Sequence, residues 1–599
     1  MATSAKTLAA PARWQFHPPP AIDDTAVITA LARALNLTPI AARLLVRRGI
    51  ATAKDADAFL TRRFDLMHDP MLLPDIEPAI ARIAKAVDKG ERILLFGDYD
   101  ADGITATSLL ARFFDVMKKR SRGTFTVEAR VPERKFGYGL SPQAVEEIRA
   151  RKPNLLITLD NGISAHDALD KLAADGIDCI VVDHHHVHGA LPRAVAVINP
   201  KRHDSKYPFN ELCGAGISFK LAWALAVHFS QNKKVTPEFR AFLLDAVALA
   251  GMGTIADIVP LIDENRVLAH QGLVALNRTQ SPGLRALIDA SKLSGPVKAS
   301  DVGFRLAPRL NAAGRCGEVS EALELLLTDD PARAAELAAM LDGYNSERQD
   351  IQSRIAEEAR QQAIDMLEKI PDRRALVLGS ADWHHGVIGI VASRIVEEFH
   401  RPALLLSIDT ETKLARGSGR SIRGLHLAEA LGEQKEMLLT FGGHAAAAGL
   451  SLNAENIDAF RAAFEKTAMS LLKAEDLVPN LRVDEKIRVG DLTEKLCFDL
   501  DQFEPFGMGN PRPTFAVIGV LLSSPPRVFG KTEEHLSFFA RHEKATRRVV
   551  GFGCGEQLNM LCDLMEAGPI DVAFRPQLNT FRGETAVEMV MDAFRRSES

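Results

Sequence analysis

The chain has 599 residues, which is too long for one hydrophobic core, so about three or four domains are expected. Its hydrophobic fraction of 46% and charged fraction of 25% are those of an ordinary soluble protein, and no apolar run reaches the about 18 residues of a membrane span. A net charge of −5 excludes a uniformly basic nucleic-acid coat, so any DNA or RNA would have to bind in a local basic channel.

The cysteines and the N-terminus indicate the cellular compartment and exclude some kinds of structural site. The six cysteines are scattered without a CxxC pair, so neither a disulfide framework nor a zinc site is expected. Residues 1–20 lack the charged start and apolar core of a signal peptide, so we expect a partly disordered tail in a cytoplasmic protein. From about residue 22 to 89, Leu, Ala and Ile recur at spacings of three and four, which predicts a helical cap on the first domain.

Three carboxylates follow a predicted buried strand at alternate positions. The apolar run 92–96 leads into Asp98, Asp100 and Asp102, and a helix is predicted from Ile104 to Met117. At about 5 Å and an effective dielectric near 20, each pair of ionised carboxylates repels by roughly 3 kcal/mol. A hard divalent cation, Mg²⁺ or Mn²⁺, would relieve this repulsion. The alternative is a polar, Gly-rich turn whose acids are solvated, and this motif alone leaves both open.

Strands alternate with helices from residue 91 onward. This pattern predicts a doubly wound, mostly parallel sheet, in which ligands bind outside the carboxyl ends of the strands. The four predicted strands are Arg92–Phe96, Asn154–Leu159, Asp178–Val182 and Ala194–Ile198.

The ends of these strands carry acids and histidines. Asp160 follows the second strand, Asp183 and a His run starting at His184 follow the third, and Asp257 follows a helix expected to break at residues 251–253. Carboxylates with an imidazole and no thiolate are typical of a two-metal site. Taken alone, the His run is better explained as a polar loop or as an adventitious metal-binding run, but its place directly after a strand and beside Asp183 favours catalytic ligation.

Four motifs together resemble one family. The stretches GDYDADG, LDNG, VVDHHH and GTIADIVP are similar, in order and spacing, to the signatures of the DHH phosphoesterases, and most closely to the RecJ single-strand-specific exonucleases. The resemblance implies two Mn²⁺ or Mg²⁺ ions held by Asp100, Asp102, Asp160, His184 and Asp257. It gives Asp98 either a ligand or a supporting place, gives Asp183 a supporting place, and turns His185 toward the scissile phosphate.

Two further segments are candidates for contact with substrate. In the segment 307–315, Arg309 or Arg315 would reach phosphate oxygens, or else the segment is a helix cap with salt bridges to Glu318 or Glu321. Tyr138 lies between glycines and would stack a base, or else it packs in an ordinary turn.

Residues 331–370 are almost free of Gly and Pro, which predicts a long connecting helix, broken at most near Gly343. The following α/β segment, residues 371–475, resembles the DHHA1 domain that accompanies DHH domains. By that resemblance Arg420 and His444 in Gly-rich loops would bind substrate phosphates.

From residue 476 to 599 short β-rich runs predict a small barrel such as an OB-fold. Basic residues near several phenylalanines suit a single strand, although many of these rings must fill the core. The stretch 506–515 is expected to position this barrel.

These observations predict five segments: tail and cap 1–90, DHH catalytic domain 91–330, connecting helix 331–370, DHHA1 domain 371–475 and OB-fold 476–599. We expect a metal-dependent exonuclease on single-stranded DNA that acts in recombination and repair, with 5′ to 3′ polarity implied by resemblance only. Resemblance also implies a single-strand-binding protein and a RecQ-type helicase as partners, and we expect a monomer without membrane contact. Two alternative functions remain open. One is a phosphodiesterase of the same superfamily that acts on short oligoribonucleotides or cyclic dinucleotides, and the other is a catalytically inactive replication scaffold.

Overall fold

The computed structural model describes residues 12–17, 22–121, 124–134, 137, 139–231, 234–581 and 583–597. The chain forms two compact units. The sheet unit comprises Asp57–Arg348 and Phe503–Pro511, and the barrel unit comprises the described residues within Met1–Ala56, Gln349–Gln502 and Arg512–Ser599.

The described part of the N-terminal segment contains one short strand, four α-helices and two short 3-10 helices, and its first part belongs to the barrel unit. Its elements are β1 (Arg13–Phe16), α1 (Ile22–Leu35), α2 (Pro39–Arg47), α3 (Ala53–Thr61) and α4 (Ile76–Asp88).

The first part of this segment packs on the C-terminal region, whereas the sequence predicted a cap on the first domain. Strand β1 pairs in parallel with the strand Asn480–Val483. Arg43 and Arg47 of α2 both form ion pairs with Glu485, at 2.9 and 2.8 Å. Residues 12–17 and 22–56 are therefore part of the barrel unit, and only α4 and the segment before it belong to the sheet unit. The predicted tail falls largely on residues 1–11 and 18–21, outside the described residues.

The sheet unit is built on a five-stranded parallel sheet with the order β3-β2-β4-β5-β6. This confirms the predicted parallel sheet. Strand β3 was not predicted, because its sequence TVEAR alternates polar residues along a half-exposed edge. The strands are β2 (Arg92–Gly97), β3 (Thr126–Arg130), β4 (Leu155–Leu159), β5 (Asp178–Val182) and β6 (Ala196–Ile198).

Helices cover both faces of this sheet, as expected for strands that are apolar on both sides. Ile93, Leu95 and Ile157 pack in the core on one face, and Leu94 and Leu156 pack in the core on the other. The helices are α5 (Ala101–Ser121), α6 (Pro142–Arg151), α7 (His166–Ala174), α8 (Gly214–Ser230), α9 (Pro237–Ala256), α10 (Asp263–Leu276), α11 (Pro282–Ala290), α12 (Ala299–Asp301), the π-helix Val302–Leu306, α13 (Ala307–Cys316), α14 (Val319–Leu327) and α15 (Pro331–Lys369).

Helix α9 runs through the glycines that were expected to break it. A Cβ added at Gly251 would lie 2.7 Å from the Cα of Gly272 on α10, so the glycines allow close helix packing and do not end the helix. Helix α9 is also long and apolar enough to span a membrane, but 67% of its most apolar window is buried inside the protein, as in a core helix. A bent pair of helices, α1 with α2, passes the same test only when counted as one span.

Helix α15 continues without a break through Gly343 and leads into the second α/β segment, in the barrel unit. This segment has a mixed sheet of five strands with the order β10-β11-β9-β8-β7, in which only β7 and β8 are parallel. Its elements are β7 (Leu376–Ser380), α16 (His385–Phe399), β8 (Ala403–Asp409), β9 (Leu414–Arg420), α17 (Leu427–Gly432), β10 (Thr440–Gly443), β11 (Ala447–Asn453) and α18 (Ile457–Leu471).

The C-terminal strands form the predicted barrel. Seven strands follow the order β13-β14-β18-β19-β17-β16-β15, and an additional β14–β16 pairing closes the ring. Phe515, Phe538 and Phe574 are fully buried inside it, whereas Phe539 is 46% exposed. The elements are β12 (Asn480–Val483), β13 (Glu485–Lys486), α19 (Glu494–Asp501), β14 (Phe515–Leu522), β15 (Arg527–Phe529), β16 (His535–His542), β17 (Ala545–Gly551), α20 (Leu558–Ala567), β18 (Ile570–Phe581) and β19 (Glu584–Arg596).

Candidate metal centre

The first three candidate carboxylates lie where strand β2 turns directly into helix α5. The helix begins at Ala101, three residues earlier than predicted. Asp100 caps it, because its Oδ1 accepts hydrogen bonds from the N–H groups of Asp102 and Gly103 at 3.0 and 3.1 Å. The carboxylates therefore lie where the chain turns from β2 into the first turn of α5.

Asp102 also caps a second helix. Its two carboxylate oxygens accept hydrogen bonds from the N–H groups of Gly214 and Ala215, at 2.7 and 2.9 Å, at the start of α8. Two glycines leave space for the side chains of Asp102 and Asp160. A Cβ at Gly253 would lie 2.6 Å from Oδ1 of Asp102, and a Cβ at Gly214 would lie 2.6 Å from the Cβ of Asp160.

Asp160 follows β4 in a left-handed conformation, with φ of +63°. Such a backbone is sparsely populated by residues other than glycine, and it is found where function requires it. Asn161 secures the turn, because its side-chain amide donates to the carbonyls of Phe96 and Leu159 at 3.2 and 3.0 Å. The Asp160 carboxylate is thereby fixed beside the end of β2.

Asp183 organises the histidines that follow β5. Its Oδ1 accepts from the N–H groups of His184 and His185 at 2.7 and 3.0 Å and lies 2.7 Å from Nδ1 of His185. Its Oδ2 accepts from the N–H of Ile163 at 2.9 Å. Asp183 therefore fixes both the main chain and the ring of the histidines, and the His185 side chain stays 41% exposed.

The imidazole of His184 lies among three carboxylates from distant parts of the chain. Its Nε2 is 3.1 Å from Oδ1 of Asp160, 3.6 Å from Oδ2 of Asp257 and 4.0 Å from Oδ2 of Asp102. Asp257 reaches this point from the C-terminal end of α9. One edge of the sheet thus collects side chains from four separate stretches of sequence.

These side chains form overlapping groups that could each hold one cation. Within each group, one potential ligand atom per residue lies within 4.8 Å of the others. The groups are Asp98 with Asp100 and Asp160, Asp102 with His184 and Asp257, and Asp160 with His184 and His185. The first two share no residue, so the arrangement suits two cations.

The electrostatics of the cluster favour bound cations. Burial, with Asp100 nearby, raises the pKa of Asp102 to about 6, and burial with Asp102 and Asp100 raises the pKa of Asp257 to about 8. The pKa values of Asp98 and Asp160 are raised by burial and by neighbouring carboxylates. Burial, then His185, lowers the pKa of His184 to about 3, so this imidazole is neutral and able to ligate.

The hydrogen-bonding state of the cluster is also consistent with metal binding. Oδ1 of Asp98 and both ring nitrogens of His184 are buried and make no hydrogen bond to the residues that the structure describes. Buried polar atoms are almost always satisfied, so such atoms in a carboxylate–imidazole cluster fit divalent cations.

A group of arginines borders the loop Asp98–Asp102. Arg134 stacks on Tyr99 at 5.1 Å, and burial together with Arg134 and Arg348 lowers the pKa of Arg315 to about 10. Several arginine side chains close together beside a candidate metal centre are suited to bind an anionic substrate. Arg309 instead forms an ion pair with Asp342 at 2.7 Å, on α15, and not with the acids considered from the sequence.

The remaining predicted contacts lie in the barrel unit or outside the described residues. Arg420 ends β9 beside α16, where a Cβ at Gly389 would lie 3.5 Å from its Nη2. This places a cation next to the first turns of a 15-residue helix, whose N-terminus favours anions. His444 is exposed on the neighbouring hairpin, and Tyr138 lies outside the described residues.

Sequence reasoning assigned no role to Asn161, Asn199 or Arg134. Asn199 donates to the carbonyl of His185 at 2.9 Å and so supports the histidine loop. Asn161 belongs to the LDNG motif directly after a predicted strand, and this position was the one feature of the sequence that could have indicated its supporting role. The positions of Asn199 and Arg134 depend on tertiary packing.

Comparison with known proteins agrees with this geometry. Family models match residues 92–250 as a DHH family N-terminal domain, 372–470 as a DHHA1 domain and 483–593 as a RecJ OB domain. The single-stranded-DNA-specific exonuclease RecJ of Escherichia coli strain K12 is 35% identical over 595 residues, covering 95% of this chain and 97% of the relative. The chain belongs to the RecJ exonuclease family.

Other RecJ proteins extend this comparison. RecJ of Bacillus subtilis strain 168 is 40% identical over 557 residues, covering 92% of this chain and 67% of its own. The crystal structure of RecJ from Thermus thermophilus in complex with Mn²⁺ superposes with a TM-score of 0.81 and 31% identity, over 98% of this chain and 80% of that one. A second structure of that protein contains Mg²⁺, and both are the ions predicted from the carboxylate cluster. The predicted fold class, including the DHH, DHHA1 and OB parts, is confirmed.

Proposed function

We propose that this protein hydrolyses single-stranded DNA to nucleotides, from the 5′ end, with two divalent cations, Mn²⁺ or Mg²⁺, in DNA recombination and repair in the cytoplasm. The observation that carries the proposal is the convergence of Asp102, Asp160, His184 and Asp257 within about one cation's coordination shell in a RecJ-family chain. The polarity, the cellular location, a monomeric state and contacts with a single-strand-binding protein or a RecQ-type helicase rest on resemblance alone.

The cations would be held by Asp98, Asp100, Asp102, Asp160, His184 and Asp257. Two cations held there would supply activation of a water molecule and stabilisation of the negative charge that develops on the phosphate and the leaving oxygen. The chain's own part is to keep six ligands in place. Asp183 holds the main chain of His184 and the ring of His185, whose exposed face is proposed to meet the scissile phosphate.

Burial lowers the pKa of His185, but the hydrogen bond to Asp183 and the nearby charges of Asp183, Asp257 and Asp98 together outweigh burial and raise this pKa. A ring that keeps its proton more readily than usual is suited to donate a hydrogen bond, or a proton, to a phosphate oxygen. Arg315, beside Arg134, is the proposed contact for a substrate phosphate. Arg420 and His444 are proposed phosphate contacts in the DHHA1 segment, Tyr138 a proposed base contact, and Arg309 a proposed contact whose ion pair with Asp342 would have to be shared.

The five segments predicted from the sequence remain our proposed domains, and each of the three family matches falls inside one of them. Activity on cyclic dinucleotides or short oligoribonucleotides is not favoured, because residues 483–593 match a RecJ OB domain and a small substrate needs no such platform. The intact ligand set argues against an inactive scaffold.

Digestion of 5′- and 3′-labelled single-stranded DNA, duplex DNA and RNA tests the proposal. We expect wild-type protein to degrade single-stranded DNA with Mn²⁺ or Mg²⁺, releasing the 5′ label first, and to be inactive in EDTA. Asp160→Ala should abolish cleavage while DNA binding largely persists, since phosphate affinity comes mostly from basic residues. Asp170→Ala, on the exposed face of α7, is the matched control and should keep wild-type activity. Full cleavage by purified Asp160→Ala would overturn the site.

A further inference from the structure

Phe304 presents an aromatic ring to solvent, seven residues before Asn311, which contacts the metal-binding loop. The residue is 83% exposed and lies in the π-helix Val302–Leu306, directly before α13. Single exposed apolar side chains are common and need no explanation by themselves. The position of this ring relative to the metal-binding loop is what distinguishes it.

The ring shares a helix face with residues at the metal centre. Phe304, Asn311 and Arg315 are separated by seven and four residues, so they recur on one side of the π-helix and α13. Val302, Leu306 and Leu310 form the buried side. Asn311 accepts a hydrogen bond at 2.8 Å from the N–H of Ala101, within the loop that carries the first three carboxylates.

This geometry places the ring on the same side of the helix as the residue that contacts the metal-binding loop. At 1.5 Å per residue, Phe304 lies about 10 Å along the helix axis from Asn311. The π-helix also packs against α9, the helix that ends at Asp257. π-Bulges within helices are frequent at functional sites, and here the π-helix that carries Phe304 packs on α9 and leads directly into α13.

The surroundings of the ring suit a nucleic acid better than a protein partner. Arg305, next in the chain, has a side chain 48% exposed, and a Cβ at Gly303 would meet no atom within 4 Å. Arg305 also lies 3.8 Å from Asp301, so the ring has charged neighbours in the chain, unlike the apolar centre of a protein interface. A single ring is enough for one base, since each base offers a flat face for stacking.

We propose that Phe304 stacks on a base of the single-stranded DNA, a few nucleotides from the bond that is hydrolysed. The inference rests on the proposed exonuclease function and adds to it a base contact that reads no sequence. It also predicts that Phe304 does not increase the affinity for substrates that are too short to reach its ring.

Three substitutions of the full-length protein test the contact, and the exposure of the residue means that folding should be unaffected. Binding of a labelled single-stranded oligonucleotide is measured by anisotropy in EDTA, so that no cleavage occurs. We expect Phe304→Ala to weaken binding about tenfold, Phe304→Trp to keep wild-type affinity and Phe304→Leu, the matched apolar control, to fall between.

A single abasic site moved along the oligonucleotide identifies the base. When the abasic site reaches the position of the stacked base, wild-type protein should lose about as much affinity as Phe304→Ala loses on intact DNA. The affinity of Phe304→Ala itself should not change when the abasic site is at that position. In digestion, KM should rise more than kcat falls. Equal binding by all variants, or an abasic scan that Phe304→Ala leaves unchanged, would overturn the inference. Failure of wild-type protein to degrade DNA in Mn²⁺ would instead overturn the proposed function, so the two outcomes are distinct.

Discussion

The main-chain N–H of Leu261 donates a hydrogen bond to the carbonyl of Met508 at 2.7 Å, although the two residues lie far apart in the chain. Leu261 follows the proposed metal ligand Asp257 by four residues, and Met508 belongs to a loop, Phe503–Pro511, that packs within the sheet unit. A Cβ at Gly507 would lie 2.8 Å from a methyl group of Leu261, so this loop lies directly on the segment after the ligand. The sequence instead predicted that this stretch positions the barrel.

Arg266 fastens the same loop, and its removal should destabilise the sheet unit. Arg266 is 3% exposed and donates to the carbonyls of Phe59, Glu504 and Pro505, at 2.9, 3.1 and 3.3 Å. We expect Arg266→Ala to lower the free energy of unfolding by about 3 kcal/mol or more, since buried carbonyls lose a charged donor. Urea denaturation followed by circular dichroism measures this.

Arg149→Ala is the control for Arg266→Ala, because Arg149 pairs with Glu146 and Asp175 at the surface. Exposed pairs contribute about 0–1 kcal/mol, so this variant should unfold near the wild-type midpoint. Equal midpoints for the two variants would contradict the role given to Arg266.

Gly253 is predicted to be essential because of the space it leaves for Asp102. A Cβ there would lie 2.6 Å from Oδ1 of Asp102 and 2.6 Å from the Cβ of Ala215. Gly253→Ala should therefore displace Asp102, a proposed metal ligand, and weaken the Mn²⁺ binding that calorimetry measures. It should also lower kcat by at least about tenfold, because a tenfold loss corresponds to only about 1.4 kcal/mol in the activation free energy.

Gly343→Ala provides a matched control for Gly253→Ala. Gly343 is also helical, but no atom lies within 4 Å of an added Cβ. Alanine should stabilise that helix by up to about 1 kcal/mol and leave Mn²⁺ binding unchanged. A Gly253→Ala protein with wild-type Mn²⁺ affinity and kcat would show that the close approach has no functional role.

The chemistry of the site could be predicted because it follows the strands. Strands β2, β4 and β5 are continuous apolar runs, and Asp98, Asp160 and Asp183 come immediately after them. Parallel strands bring these ends to one edge, so local sequence was enough to gather the acids.

Tertiary contacts between distant segments could not be predicted in this way. Gly251 and Gly253 were expected to break a helix, since glycine is a poor helix former, but close packing against α10 and Asp102 overrides that propensity. The partner of Arg309 proved to be Asp342, and the N-terminal helices proved to pack on the barrel. None of these contacts leaves a periodic pattern in either partner.

Asp183 should be required although it touches no proposed cation directly. It holds His184 and His185 through three contacts of 2.7 to 3.0 Å. We expect Asp183→Ala to reduce kcat or Mn²⁺ affinity about 10- to 100-fold, the usual effect of removing a residue that orients ligands. Steady-state digestion over a Mn²⁺ titration distinguishes a lower kcat from a lower Mn²⁺ affinity. Asp170→Ala again serves as the control. Unchanged values for both quantities would exclude this role.

Metal binding should stabilise the protein more as pH rises. The carboxyls of Asp102 and Asp257 titrate in the metal-free protein at about 6 and about 8, above their ordinary value of 3.8. The folded state thus holds these protons more tightly than the unfolded state does, so the stability that protonation gives is present at acid pH and is lost as pH rises from about 4 to about 8. Cations bind the deprotonated groups and should restore that loss.

Thermal unfolding with Mg²⁺ or EDTA at pH 5.5, 6.5, 7.5 and 8.5 measures this dependence. The Tm difference between Mg²⁺ and EDTA should increase steadily over the series, because fewer protons have to leave when the cation binds. The same series on Asp257→Asn, which removes the carboxyl with the higher of these two pKa values, should show a smaller increase between pH 6.5 and 8.5. A Tm difference that stays constant with pH in wild-type protein would contradict the raised pKa values, and hence the crowding of carboxylates from which the metal centre was inferred.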